Sequence, residues 1–311
     1  MHHTRNAAIV VAVVALVALS AGCRSEPTAP PSPGTGSTQT PGAGPGPGTQ
    51  TPPAQPGPGD RLNGFWSRAL QEVYKSPGEL QAQHEREQRK GMQYVKLMQG
   101  DPAKRAVTLT FDDGPHPDYT PQLLAILKQY NIKATFFVVG EMAEQYPDLV
   151  KAEQAEGHTV GNHTYHHVNL TRIPEAEVQT EWQGCEDVVQ SILGVTMKYC
   201  RPPGGDYDDA VIRAAQAVGL ITVLWTDDPG DYASPGDKVI ETRVLGKIEN
   251  GAIILLHDGI QQTIDVLPQI IQHLQQRGFA FETVDQMMQD HQAMIERLGP
   301  PGHKAAPRPG G

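Results

Sequence analysis

Two adjacent carboxylates, Asp112 and Asp113, follow the β-branched and apolar run Val107-Thr108-Leu109-Thr110-Phe111 and precede Gly114-Pro115, a pair that cannot continue a strand. Of two neighbouring acids, one can ligate a cation while the other accepts a proton, provided their surroundings divide the work. His163 and His167 stand four residues apart, a spacing that lets one cation be held from a helical turn or a tight loop. With Asp113 as third ligand, such a set leaves a position open for water on a metal such as zinc. His166, three residues after His163, competes for the same place. Arg201, the acids Asp227, Asp228 and Asp231 in one loop, and His257 after the apolar run Ala252 to Leu256 complete the groups able to do chemistry. A lone Asp pair is more often a turn or a helix cap, and a lone His-x-x-x-His is more often structural, so the inference rests on the set.

These side chains need elements that bring them together, and after Lys104 a strand and helix rhythm begins. Strands are predicted over 107–111, 134–139, 158–161, 197–200, 221–225, 252–256 and 279–283. Between them helices are punctuated by Thr120 as cap with Pro121 at the first position, by Pro147 and Gly157, by Pro174 and Gly194, by Asp208 and Gly219, and by Ser234-Pro235, with a last helix over Thr263 to Arg277. About seven strands alternating with helices imply an α/β domain whose parallel sheet is covered on both faces and closes into a barrel or near-barrel. Asp112, Asp113, His163, His167, Arg201, Asp228, Asp231 and His257 all follow the carboxyl end of a predicted strand, and five different strands contribute. In a closed parallel barrel those ends share one rim, where residues distant in sequence converge.

Taken in order, Thr110-Phe111-Asp112-Asp113-Gly114-Pro115, His163-Thr164-x-x-His167, Arg201-x-Pro203-x-Gly205, Asp228-x-x-Asp231 and Leu255-Leu256-His257 resemble the five motifs of polysaccharide deacetylases, the NodB-homology group or carbohydrate esterase family 4. The resemblance spans roughly residues 105 to 285 and implies a distorted (β/α)7 barrel that binds one divalent metal, usually zinc. It also implies removal of N-acetyl, or sometimes O-acetyl, groups from amino-sugar polymers. By the same resemblance Asp113, His163 and His167 are the metal ligands and Asp112 is the general base, oriented by Arg201. The backbone N–H of Gly204, in the segment with Pro203, meets the negative charge on the carbonyl oxygen. His257 protonates the departing amine, with Asp228 or Asp231 favouring its cationic form. Two positions depart from the family pattern. Gly204 stands where an aromatic is usual, which keeps the backbone donor but removes a ring from the groove. Tyr232 stands where Trp is usual and keeps a flat apolar wall.

The rest of the chain reads as address and tether. Residues 1–23 look like a signal peptide: an apolar run from Ala7 to Leu19 leads into Leu19-Ser20-Ala21-Gly22-Cys23, which resembles a bacterial lipobox with Ser20 where Leu is usual. Residues 24–60 are a Pro/Gly-rich tether with too little apolar surface to offset the entropy of ordering. Residues 61–104 form a helical preface, with helices expected over Arg61 to Tyr74 and Glu79 to Met98 and with Trp66 in a core-facing stripe. Residues 105–288 are the deacetylase-like domain and 289–311 a loose tail. The formal net charge of -10 speaks against nucleic acid as a partner. An acetylated polysaccharide and a membrane, reached through a lipid on Cys23, are the expected partners of an exported protein facing the periplasm or cell wall. Cys185 and Cys200 can pair or remain buried thiols. A carbohydrate-binding lipoprotein with an altered groove and an O-acetyl esterase are the competing functions.

Overall fold

The computed structural model describes residues 64–66, 68–69, 72–92 and 94–290. The expected signal peptide, Cys23, the tether and the segment from 291 onward lie outside the described residues. A capping box starts the first complete helix, Pro77–Arg89 (α1): the Ser76 hydroxyl accepts from the Glu79 N–H and the Glu79 carboxylate accepts from the Ser76 N–H. Then come Lys96–Leu97 (β1), Ala106–Asp112 (β2), Thr120–Gln129 (α2), Thr135–Val138 (β3), Gly140–Gln145 (α3), Pro147–Ala155 (α4) and Thr159–Asn162 (β4). Glu175–Leu193 (α5) ends where Gly194 turns left-handed, at φ 71°, a conformation only glycine adopts without strain. Tyr199–Cys200 (β5), Asp209–Ala217 (α6), Ile221–Val223 (β6), Asp237–Lys247 (α7), Ala252–His257 (β7), Gln261–Gln276 (α8) and Ala280–Phe281 (β8) complete the series.

Every strand pairing is parallel, in the order β1-β6-β5-β4-β3-β2-β7, with β8 beside the beginning of β2. Beyond β6 the chain bridges to β7 at Asp227 and Ile254, so the two margins of the curled sheet are joined. β2 and β7 are buried at every position, because continuous apolar and β-branched runs suit strands covered on both faces. Helices α2, α5 and α8 bury Leu123, Leu124, Leu127, Val178, Trp182, Leu267, Ile270 and Ile271 against the strands. The register decides which side chains meet at the strand ends. Asp112 lies directly across from His257 on the neighbouring strand, and Asn162 across from Cys200, so that His163 and Arg201 leave their strands side by side.

The α/β barrel with parallel strands agrees with the expectation from sequence, and the preface differs in detail. Glu79 to Met98 is not one helix: α1 stops at Arg89, Gly91 takes φ 73°, and Lys96–Leu97 joins β6 as an additional strand. Among the described residues of the first expected helix, 64–66 and 68–69 are helical, whereas 72–74 form no helix and, with Lys75, run over the barrel mouth. Thr120 is not a cap; its hydroxyl accepts from the His116 N–H and donates to Asp258. The helix expected to open at Ser234-Pro235 starts at Asp237. Cys185 and Cys200 are both buried and free.

Candidate active site

The segments after β2, β4, β5, β6 and β7 supply the rim. Asp113, Thr164 and His167 there hold left-handed backbone, with φ of 74°, 68° and 55°. Such values are uncommon for residues with a Cβ and gather at functional sites, where surrounding structure enforces them. They turn the Asp113 and His167 side chains inward. His167 Nε2 lies 3.0 Å from Asp113 Oδ1 and His163 Nε2 3.4 Å from the same oxygen. One ligand atom from each of the three lies within 4.8 Å of the others. His163 Nδ1 is 2.7 Å from the Arg201 carbonyl, which can only accept, so the proton sits on Nδ1 and Nε2 presents a lone pair inward. Asp113 Oδ1, His163 Nε2 and His167 Nε2 are buried without a hydrogen-bond partner. Buried polar atoms rarely stay unpaired, and three converging lone-pair donors of this chemistry fit a divalent cation such as zinc. Burial works to raise the Asp113 carboxyl, but the imidazoles of His167 and His163 outweigh it and hold the group well below its usual range. Burial would lower His167, and the Asp113 charge raises it instead.

The second half of the site is built differently. Arg201, wholly buried, donates from Nη1 to Asp112 Oδ1 and to Thr110 Oγ1, both at 2.7 Å, and from Nε and Nη2 to the carbonyls of Val223 and Leu224 at 3.3 and 3.4 Å. The other oxygen of Asp112 is buried, has no partner and lies 3.8 Å from His163 Nε2. His257 donates from Nδ1 to Asp231 Oδ1 at 2.7 Å, while its backbone N–H and the Thr263 hydroxyl donate to Asp231 Oδ2 at 2.8 and 2.6 Å. Burial would depress the imidazole; the Asp231 charge and hydrogen bond prevail and push its pKa up to about 9. His257 Nε2 is buried and unpartnered. The pair can therefore deliver a proton on one side of a small polar chamber while Asp112 accepts one on the other.

Of the two loop acids expected near His257, Asp231 is the one in contact. Asp228 accepts from the Gly230 N–H at 2.8 Å and closes a turn, within electrostatic reach of His257 but not bonded to it. Asp227 serves the barrel seam, where burial pushes its carboxyl up to about 7. His166 faces away from the cluster, 2.7 Å from Glu181. Pro203 and Gly204 form a buried turn with Gly205, and the Tyr232 ring meets His257 edge-on with centroids 5.3 Å apart. Thr263, which bonds Asp231, is a member of the site that no chemical pattern in the sequence marks, and Thr110, which bonds Arg201, stands in the first motif with no role read for it. Tyr74 belongs to the segment that covers the site and takes no part in its hydrogen bonds. Tyr74 meets the His257 ring edge-on at 4.8 Å and Tyr232 at 4.3 Å. Gly114 of the Asp-Asp-Gly-Pro run is required for packing: a Cβ there would come 2.6 Å from Asp258 Oδ2. Trp66 packs on His116, 4.5 Å between ring centroids.

A family model described as polysaccharide deacetylase matches residues 99–223. A peptidoglycan-N-acetylglucosamine deacetylase of Bacillus cereus is 37% identical over 200 residues, covering 63% of this chain and 73% of that protein. A chitooligosaccharide deacetylase of a Bradyrhizobium species is 38% identical over 198 residues, covering 59% of this chain and 90% of its own. Among solved structures, a peptidoglycan N-acetylglucosamine deacetylase superposes with a TM-score of 0.61 at 36% identity, over 62% of this chain and 92% of the other.

Proposed function

We propose, since the chain belongs to the polysaccharide deacetylase family, that it removes N-acetyl groups from an amino-sugar polymer of the cell envelope with the help of one divalent cation. It is a hydrolase whose relatives are named for acetylated glycans, and peptidoglycan N-acetylglucosamine is the substrate we favour. The observation that carries the reading is the convergence of five buried, unpartnered atoms: Asp113 Oδ1, His163 Nε2, His167 Nε2, Asp112 Oδ2 and His257 Nε2. A cation binder needs only the first three.

Asp113, His163 and His167 would hold the cation, zinc in our reading. When bound it would supply Lewis acidity, making water more acidic and polarising the acetamide carbonyl. Asp112, fixed by Arg201, accepts a proton as the water oxygen bonds to the carbonyl carbon. The carbonyl electron pair moves onto oxygen, which we assign to the backbone N–H of Gly204, with Pro203 shaping that turn. His257, cationic through Asp231, donates its Nε2 proton to the nitrogen as the carbon–nitrogen bond breaks. Acetic acid, which ionises in solvent, and a free amine leave, and solvent exchange takes the proton from Asp112 and restores one to His257 Nε2, so both groups return to their starting states. Tyr232 forms one apolar side of the chamber.

Location is part of the same proposal. The apolar run before Cys23 and the Pro/Gly-rich stretch after it suit an exported, lipid-anchored protein with its domain held off a membrane, within reach of the wall. None of the described helices is long and apolar enough to cross a membrane. The decisive assay loads the purified chain with zinc and measures acetate release from peptidoglycan, N-acetylglucosamine oligomers and O-acetylated xylan. Release from the first two and loss in Asp112→Asn are expected. Release from xylan alone would make it an O-acetyl esterase, and zinc binding with no release from any of the three would make it a carbohydrate binder. Labelled fatty acid should be incorporated by wild type and lost in Cys23→Ser.

A further inference from the structure

The groups proposed for catalysis are closed off from solvent. Asp112, His163 and Arg201 are 0% exposed, His257 1%, Asp113 5% and His167 9%, and a glycan residue cannot place its acetamide among them without a change in what covers them. Part of the cover is the chain's own segment Glu72 to Lys75. Tyr74 lies over His257 and Tyr232, and Glu72 lies within electrostatic reach of the His167 and His163 imidazoles. The Lys75 N–H donates to the Gly204 carbonyl at 2.9 Å, and the Lys75 ammonium pairs with Asp206 at 3.1 Å. Upstream, Phe65 and Ala69 pack with Val139 and Met142; downstream, the Ser76 capping box begins α1. The segment is thus fastened at both ends and crosses the mouth between them.

Gly204 couples this segment to the site. A Cβ there would meet Glu72 Oε1 at 2.7 Å and the Val73 carbonyl at 2.8 Å. A ring at this position, the feature missing from the groove, would take the room that Glu72 and Val73 occupy. The fastening is also incomplete. The Tyr74 hydroxyl is buried with no partner, and Val73 is 81% exposed. A segment that leaves a buried hydroxyl unpaired is held less firmly than its burial suggests. A cavity of about 320 Å³ borders it, lined in part by Asn169, Arg172 and Asp206.

We propose that Glu72 to Lys75 is an internal occupant of the glycan groove, with the Glu72 carboxylate and the Tyr74 ring filling the place of the acetylated sugar, and that the polymer binds by displacing it. This regulation rests on the deacetylase reading of the site. Only the fraction of molecules with the segment displaced binds glycan, so apparent affinity is reduced by that fraction.

The test uses the full chain loaded with zinc and the double variant Glu72→Ala/Tyr74→Ala, with Val73→Ala as control. Freeing the mouth should speed zinc extraction by a chelator about tenfold and lower KM for an N-acetylglucosamine oligomer about tenfold with kcat retained, the result expected if about a tenth of wild-type molecules are open. Should the double variant fail to fold, the Lys75 amide is followed by hydrogen exchange in zinc-loaded Asp112→Asn, and oligomer should make it exchange faster. Extraction rate and KM unchanged, KM raised, or an amide that slows on glycan binding would each overturn the proposal while leaving deacetylation intact. Faster extraction with no acetate from any variant would support the displaced segment and overturn the deacetylase reading instead.

Discussion

The two halves of the site are satisfied to different degrees. Around Asp231 both oxygens are bonded inside the protein: one takes the His257 Nδ1–H and the Tyr232 N–H, the other the His257 backbone N–H and the Thr263 hydroxyl. Around Asp113 three atoms meet at short distance and none has a partner. Buried polar groups left unpaired are costly, and the Asp113 half leaves three such atoms open whereas the Asp231 half leaves one, His257 Nε2. The difference separates two tasks. The Asp113 half presents three ligand atoms that could hold a cation; the Asp231 half is prearranged to hold a proton.

The contrast is broken most directly at His163. His163→Ala should lose the bound zinc and acetate release together, and retention of one zinc per chain by metal analysis would show that the half was not waiting for a cation. Asp112→Asn should keep the zinc and slow acetate release by about 10²–10⁴-fold, the range for a lost general base. His257→Ala should likewise keep the zinc and lose about 10²-fold or more in kcat.

The pH dependence sharpens the comparison further. His257 must be cationic to act, and with its pKa near 9 in the protein without cation the active form is lost as pH rises through that value. The charges of Asp113 and Asp112 contribute to that elevation, so zinc beside Asp113 should lower the His257 titration seen by NMR and bring the alkaline limb of the rate profile down with it. A titration that zinc does not move would mean that the two halves are electrostatically independent. Asp231→Asn should shift the limb lower still.

The smallest effects concern stability. Zinc at about 100 times its Kd should stabilise wild type by about 2.7 kcal/mol by mass action, and calorimetry should show no such gain in His163→Ala. Thr263→Ala should retain the gain and lower stability by about 1 kcal/mol through one lost hydrogen bond.

The sequence made the long buried strands legible because they are unbroken apolar runs, and once β2, β4 and β7 end where they do, Asp112, His163 and His257 must meet at one rim. The choice between Asp228 and Asp231 was not legible. Both are acids in one loop, and it is the turn at Gly230 that sends Asp228 to a backbone N–H and leaves Asp231 beneath His257. Thr110 lies in the first motif and Thr263 in none, and neither role was legible, since a threonine that bonds a buried acid or guanidinium resembles any other β-branched core residue in one dimension. The strand Lys96–Leu97 is too short to show alternation. Gly204 was visible as a missing ring, but what fills the space comes from residues more than a hundred positions earlier, and no local pattern links them.

Arg201 spans β2 and the end of β6 with one guanidinium, bonding Thr110, Asp112 and the carbonyls of Val223 and Leu224. It is a keystone as well as a tool: the contact that aims the base also rivets two staves of the cask that are not paired with each other. An alteration at this position is therefore penalised twice, once in assembly and once in turnover, and even lysine, a single point charge in place of a planar fork, cannot grip four oxygens across two staves.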